Sequence, residues 1–464
     1  MKSILGKAIK IKNIIMSFVL TKEVFEEFVR AVDDKNDSLV RETMSHLHPE
    51  DITDILYELN TEQCIYIFNV LENRTNSEII SYLDSYTRTE FLTNFEPQQI
   101  ARWIQFMDSD DAADILNEMP LEVREKTIAF LRQDKARDIV DLLNYDEESA
   151  GGLMAKELIR ANLNWTVIQA IDEIRRQAKK VEKFYSLYVV NDDNILLGRV
   201  SLKKIILAKD DTLIQDIFEE GIVSVKTYQD QNEVAEIMQR YDLEAVPVVN
   251  ARHELVGRIT IDDIVDVITE KAELDRQIMS GLSEDIAEDD SIFMLTRARL
   301  PWLIIGMAGG LLGARFMGFF EDQLVMLPAM AFFIPLITAT GGNVGIQSSS
   351  IILQSLATKS AFPGQSFLPR LLKVLIVAII NGLVIGLIVF GFSFVLHVSI
   401  KLALTVAASL FFVVLLASFM GTITPLILNK MKINPAIASG PFITTANDLL
   451  GLAVYFTIAH FLYR

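Results

Sequence analysis

The stretch NPAIASGPFITTANDLLG, residues 434–451, decides how the C-terminal third of the chain is read. It opens an apolar run that reaches residue 462, enough to cross a bilayer, which takes about 20 apolar residues. Gly440 and Pro441 interrupt its helical pattern and can free carbonyls as cation ligands. Asp448 lies near mid-span and is the only acid between Asp322 and the C-terminus. An unpaired carboxylate at that depth is costly, and intramembrane acids mark ion or proton paths. No mid-span base offers a salt bridge, because Arg315 and Lys373 sit toward span ends.

Upstream lie four more runs of spanning length, near 300–319, 325–353, 369–397 and 402–428. With the N-terminus inside, Arg297, Arg299, Lys359, Arg370, Lys373, Lys430 and Lys432 fall on the cytosolic side, while Glu321, Asp322, Lys401 and Arg464 fall outside. That distribution obeys the positive-inside rule. The expectation is therefore a multi-pass protein of the cell (inner) membrane, in contact with lipid, with its N-terminus cytosolic and its C-terminus outside.

The second run contains Pro328, Pro335 and then TATGGNVGIQ, residues 338–347. Such a sequence predicts a Gly-Gly-Asn break, with irregular backbone lining a cavity. Hydroxyls, amides, carbonyls and one carboxylate are hard oxygen ligands, which suit Mg2+ or Ca2+ better than Zn2+ or Cu+. Mg2+ sheds water reluctantly, so one carboxylate plus carbonyls around a largely hydrated ion makes a plausible filter. A homodimer with the path on its axis brings two such carboxylates together.

The first two thirds have the opposite character. Up to residue 297 there are 58 acidic and 34 basic residues, a net −24; beyond it three acids face nine bases, a net +6. So acidic a block repels nucleic acid and suits metal cations. Cys64 is the single cysteine, so no intramolecular disulfide forms, and a reducing, cytosolic setting follows. The N-terminal MKSILGKAIKIKNIIMSFVL has too short an apolar run, with no small-residue cleavage site, for a signal peptide, and reads as an amphipathic helix that stays inside.

Residues 24–148 are helical throughout, and HPEDITDILYEL (48–59) recurs sixty residues later, aligning Asp51, Asp54 and Glu58 with Asp111, Asp114 and Glu118. Stacked helical pairs follow. A second repeat, at an offset of 59, relates LYVVNDDNILLGRVSLKKI (187–205) to AVPVVNARHELVGRITIDDI (245–264), each copy reading strand, turn, strand, helix. The pair resembles the CBS domain pair, a regulatory module that often senses adenine nucleotides or metal. Gly257, Thr260 and Asp263 match that family's ribose and phosphate signature. In the first copy Gly198 and Ser201 match, but Lys204 replaces the acid, so ATP binding and a structural role both stand.

Together RLPWL (299–303), PLITATGGNVGIQ (335–347) and SGPFITT followed by Asp448 resemble the pore signatures of the MgtE family of magnesium transporters and channels, and the domain order resembles that family's over nearly the whole chain. The resemblance implies a multidomain fold: an all-α superhelical N domain over 1–148, an α/β CBS pair over 149–270, a connecting plug helix over 271–297, and an α-helical transmembrane pore domain of five spans over 298–464. It implies a homodimeric, Mg2+-selective channel that moves the ion down its electrochemical gradient and is closed by Mg2+ at its cytosolic domains, and no enzyme. Asp448 matches the family's pore aspartate, Thr444 a position offering its carbonyl, and Asn343 its Gly-Gly-Asn. Asp110 and Asp114 match N-domain sensor ligands, and Asp242, Asp263 and Asp266 match ligands of the second CBS copy. In the connector Glu273 and Asp275 are kept, while Lys271 and Leu274 stand where the family places acids.

Three other readings compete. A proton-coupled transporter would need a second titratable group in the membrane, and only His397 and His460 offer themselves, near outer ends of spans. No GxxxxGK[ST] loop or HExxH pair supports ATP-driven pumping or hydrolysis. A membrane-anchored sensor without transport leaves the expected Gly-Gly-Asn break and Asp448 unexplained.

Overall fold

The computed structural model describes residues 22–177, 186–284, 286, 291–357 and 367–463. The amphipathic helix expected at the N-terminus, Lys359, Arg464 and the side chain of Arg370 lie outside the described residues. Two compact units are present, residues 1–268 and 269–464.

The first unit begins with short helices from Lys22–Asp33 to Gln133–Leu142. Their starts are written locally. Asn60 and Gln63 form a capping box, Asp84 caps the Ser85–Leu92 helix, and Pro49 and Pro97 occupy first helical positions where a missing N–H costs nothing. The sixty-residue repeat holds at core level: Ile52, Ile55 and Leu56 are buried on one helix, and Ala112, Ile115 and Leu116 on its copy. The copies differ at the acid that precedes this run, since Glu50 is exposed but Asp110, its counterpart, is buried.

The 59-residue repeat forms two sheets. One runs β1 (Arg160–Asn162), β2 (Ser186–Val190), β3 (Leu196–Ser201), β4 (Glu219–Glu220), and the other β5 (Val225–Lys226), β6 (Ala245–Val249), β7 (Leu255–Thr260). In both, a parallel pair is followed by an antiparallel pair, with the same bulge at Val189/Val190 and at Val248/Val249. The buried residues repeat at the 59-residue offset: Leu187 with Val246, Val189 with Val248, Val200 with Ile259. The turns also match, with positive φ at Asn194 and His253. The second copy shares one continuous core with the N-terminal helices, from Phe28 through Leu142 to Met154, Val246 and Ile264, whereas the first copy has its own core around Ile159, Val189 and Ile214.

Among the described residues of the second unit five helices are long and apolar enough to cross a membrane: Ile292–Gly318, Pro328–Leu356, Leu371–Val395, Ile400–Lys430 and Pro435–Tyr463. The fourth is the most buried and packs on the second, third and fifth, while the first rests on the fifth. Phe320 stacks on Phe456 at 4.9 Å, and the buried Tyr455 hydroxyl donates to the Met330 carbonyl at 3.0 Å.

The break expected at Gly-Gly-Asn is absent. The second span is continuous helix from Ile334 to Ala357, and its irregular part is the 3₁₀ segment Pro328–Phe333 ahead of it. Pro335 falls in the first turn, where the ladder needs no N–H, and glycines persist in membrane helices where they let neighbouring helices close in. The fifth span does break: a 3₁₀ turn over Pro435–Ala438 gives way at extended Ser439 to the helix Gly440–Tyr463, with Gly440 at φ +56°.

Candidate functional site

Asp448 lies two turns into the Gly440–Tyr463 helix and is half-buried. Among the described residues its carboxylate has no hydrogen bond and no basic group within ion-pair distance. Thr444 is one turn earlier on the same face. Both meet Gly342 of the second span, whose added Cβ would stand 2.6 Å from Thr444 Cγ2 and 3.9 Å from Asp448 Oδ1. Gly342 is therefore the position that lets the second span approach the candidate ion site. Asn343, the next residue, is solvent-exposed in the single chain, and among the described residues no hydrogen bond joins it to Asp448.

The carbonyls expected to be freed at Gly440 and Pro441 are engaged. The Thr444 hydroxyl donates to the Gly440 carbonyl at 2.6 Å and the Thr445 hydroxyl to Pro441 at 2.8 Å. Because the helix begins at Gly440, Pro441 sits where it opens no gap in the ladder, and the threonines cap what remains. At this mouth the end of the helix Ile261–Met279 comes close. Asn434 Nδ2 donates to Asp275 Oδ1 at 2.9 Å, Gly281 packs on Pro441, and a methyl on Gly440 would overlap the Met279 carbonyl. Asp275 is thus held by an amide, and Glu273, two residues earlier in the helix, is exposed.

The first unit gathers a second set of carboxylates. Asp110 is only 8% exposed. Burial first, then the charges of Asp111, Asp263, Asp108 and Glu157, push its carboxyl well above the usual carboxylate range. Asp111 keeps an exposed edge, yet burial of its carboxyl together with Asp263 and Asp108 raises it to about 6, against the pull of Arg88. Asp114, likewise open at its edge, is raised to about 7 by burial, then by Asp111 and Glu147. Asp263 is raised by burial and by Asp262 and Asp266, although Thr260 opposes this by donating its N–H at 3.0 Å and its hydroxyl at 2.8 Å to Asp263 Oδ2. That local cap uses the Thr260 and Asp263 of the nucleotide signature, and Gly257 packs against Met154 and the Ala155 carbonyl.

Of the expected sensor residues, Asp110, Asp114, Asp263 and Asp266 share this acidic region. Asp242 instead ends the Gln231–Tyr241 helix in left-handed backbone at φ +52°, exposed. Glu273 belongs to the other unit. Among the described residues no three His, Cys, Asp or Glu side chains form a ready metal cage. Sequence reading missed Asp108, the N-cap residue of the helix that carries Asp110 and Asp111, and also Glu157 and Asp262, which adjoin those acids only through tertiary packing and have no local signal to mark them.

A buried ion pair anchors this region. Lys135 Nζ lies 3.0 Å from Glu157 Oε1 and donates to the Met107 carbonyl at 2.6 Å, while Ser109 gives Glu157 Oε2 its N–H at 3.1 Å and its hydroxyl at 2.6 Å. Burial pushes the Glu157 carboxyl up, but Lys135 and Ser109 outweigh it and hold the group below its ordinary value.

Known proteins agree with this architecture. Residues 334–458 match the family model of a divalent cation transporter, residues 47–148 that of the MgtE intracellular N domain, and residues 150–211 and 214–270 that of the CBS domain. The magnesium transporter MgtE of Bacillus subtilis is 31% identical over 421 residues, covering 88% of this chain and 93% of the relative. That of Thermus thermophilus is 29% identical, covering 93% and 97%. The crystal structure of the soluble part of a magnesium transporter matches with a TM-score of 0.50 and 30% identity, over 54% of this chain and 99% of the other. The cytosolic domain of the Mg2+ channel MgtE in complex with ATP matches with a TM-score of 0.50 and 29% identity, over 52% and 99%. These matches describe a transporter, not an enzyme class, and with five candidate spans they describe a multi-pass membrane protein. The chain belongs to the MgtE family of magnesium transporters.

Proposed function

We propose that this chain forms a homodimeric channel that passes Mg2+ down its electrochemical gradient past Asp448 and closes when Mg2+ binds its acidic cytosolic module. Asp448 carries the reading: it is the sole acid within the spans and its carboxylate is uncommitted among the described residues. Mg2+ demands an octahedral oxygen shell and keeps most of its waters. One carboxylate from each of two chains therefore holds the hydrated ion, with Thr444 and Asn343 supplying further oxygens. The N-terminus is inside and the C-terminus outside, as the basic residues direct. The functional divisions are 1–148, 149–270, 271–297 and 298–464.

The gate follows from electrostatics. The carboxylates around Asp110 and Asp263 repel one another, and a divalent ion between them, its shell completed by water, relieves that repulsion and favours the compact arrangement. Asp114 and Asp266 extend this patch, while Asp242 and Glu273 stand as separate sensor positions. Switching from mostly open to mostly closed takes about 5.5 kcal/mol of differential binding, which several weak sites supply jointly. A nucleotide at Gly257, Thr260 and Asp263 competes for the same Asp263, which links ATP to the Mg2+ response; a relative's cytosolic domain is known with ATP.

A proton relay is less well supported, because His460 is bonded to Gln323 at 2.8 Å and lies twelve residues beyond Asp448, about 18 Å along the helix. The test is Mg2+ uptake into liposomes at equal pH under an imposed voltage. Wild type takes up Mg2+, Asp448→Ala and Asp448→Asn do not, and uptake by either variant at the wild-type rate contradicts the proposal.

A further inference from the structure

Next to Asp448 sits a polar side chain that ion passage, as described above, does not use. Asn447 is 1% exposed, and among the described residues neither its Oδ1 nor its Nδ2 has a hydrogen-bond partner. It is lodged against glycines of the second span. A methyl on Gly345 would overlap the Asn447 amide, and one on Gly341 would stand 3.5 Å from the Asn447 carbonyl oxygen and 3.8 Å from its Cβ. Gly342, between them, receives Thr444 and Asp448. Glycines 341, 342 and 345 thus make a shelf on which residues 444, 447 and 448 rest, the spacing that places side chains on adjoining rows of one helix.

Small residues where membrane helices cross usually serve close packing alone. An amide at the centre of the crossing departs from that pattern. Buried without a partner, it weakens the packing, and an apolar side chain of similar shape would cost nothing. Its presence therefore reflects a role other than stability. Its neighbour in sequence is the one carboxylate in the spans, and the two rest on adjoining glycines of the second span, Asn447 on Gly341 and Gly345 and Asp448 on Gly342.

We infer that Asn447 is a positioning residue for Asp448: seated between Gly341 and Gly345, its amide fixes the rotation of the fifth span, and with it where the carboxylate meets the hydrated ion. The inference rests on the reading of Asp448 as the ion site. Groups that orient a metal-binding carboxylate change affinity roughly 10- to 100-fold when removed. The effect belongs in discrimination between Mg2+ and the larger Ca2+, which a packing role would leave alone.

The test uses the full chain in liposomes, with Mg2+ and Ca2+ uptake and thermal unfolding measured for each variant. Asn447→Leu keeps or gains thermal stability and loses about tenfold in Mg2+ over Ca2+ preference. Gly345→Ala displaces the amide and shows the same loss. Combining Gly345→Ala with Asn447→Ala fills the vacated space, so stability returns and discrimination does not. If Asn447→Leu does not assemble, the double variant carries the test by the same criterion. Discrimination equal to wild type in either apolar variant overturns the inference. Asp448→Ala is the control, for if it conducts like wild type the ion-site reading itself fails, whereas a dead Asp448→Ala beside unchanged Asn447 variants sinks only this inference.

Discussion

Replacing Lys135 by Met removes the ammonium from a site where the lysine and glutamate side chains are only 8% and 15% exposed, and strands Glu157. The carboxylate would keep its two bonds from Ser109 but lose its counter-ion. Removing one partner of a buried pair costs about 3–5 kcal/mol, a large share of the 5–15 kcal/mol that holds a typical domain folded. The loss is expected above the carboxylate range and fades as pH falls through it, because a carboxyl held low in the folded state contributes only while ionised. Adding Glu157→Gln removes the stranded charge, and roughly half the loss should return. Urea unfolding of the full chain in detergent reads this through Trp103, 3% exposed in the helical core, with Trp165 and Trp302 replaced by Phe. Ser109 begins the helix that carries Asp110, Asp111 and Asp114, so the same variant should need more cytosolic Mg2+ to close. A loss below about 1 kcal/mol, or no recovery with Glu157→Gln, refutes the reasoning.

Other outcomes follow from the same geometry. Asp111 and Asp114, raised to about 6 and about 7, bind protons in the folded module that the unfolded chain has already released, so without divalent ions stability falls as pH rises from about 4 to 7. Mg2+ displaces those protons, so its affinity should weaken roughly tenfold from pH 8 to pH 6; calorimetry in two buffers of different ionisation enthalpy measures the protons released, and a pH-independent affinity contradicts the assignment. Gly440→Ala forces a side chain into left-handed backbone and into the Met279 carbonyl, at a cost of about 1–2 kcal/mol before the clash. The connector is then pushed off the mouth of the fifth span, and residual Mg2+ flux at saturating cytosolic Mg2+ should rise; unchanged closure would show that this contact does not hold the gate.

The two repeats and the five spans were legible because each rests on local periodicity: the 59-residue offset predicts matching strands, and the structure repeats even the bulge at Val189/Val190 and Val248/Val249. Asp448 was legible because an acid in an apolar run needs no partner to attract notice. The second span misled because Gly341, Gly342 and Gly345 carry low helix propensity, which close contact with Thr444 and Asn447 overrides. The joining of Asp110 to Asp263 across some 150 residues, and of Asn434 to Asp275, has no periodic signature and depends on how the helices and sheets stack.

The most direct test of the central claim is the reversal potential of the reconstituted protein under a Mg2+ gradient, with a proton gradient set in the opposite direction. A tenfold gradient is worth about 1.4 kcal/mol. Moving a double charge through 100 mV is worth about 4.6 kcal/mol, so reversal should shift by about 30 mV per tenfold change in Mg2+. The account predicts that shift, no response to the proton gradient, and no current in Asp448→Ala; a reversal potential that follows protons, or an undiminished current without the Asp448 carboxylate, contradicts it.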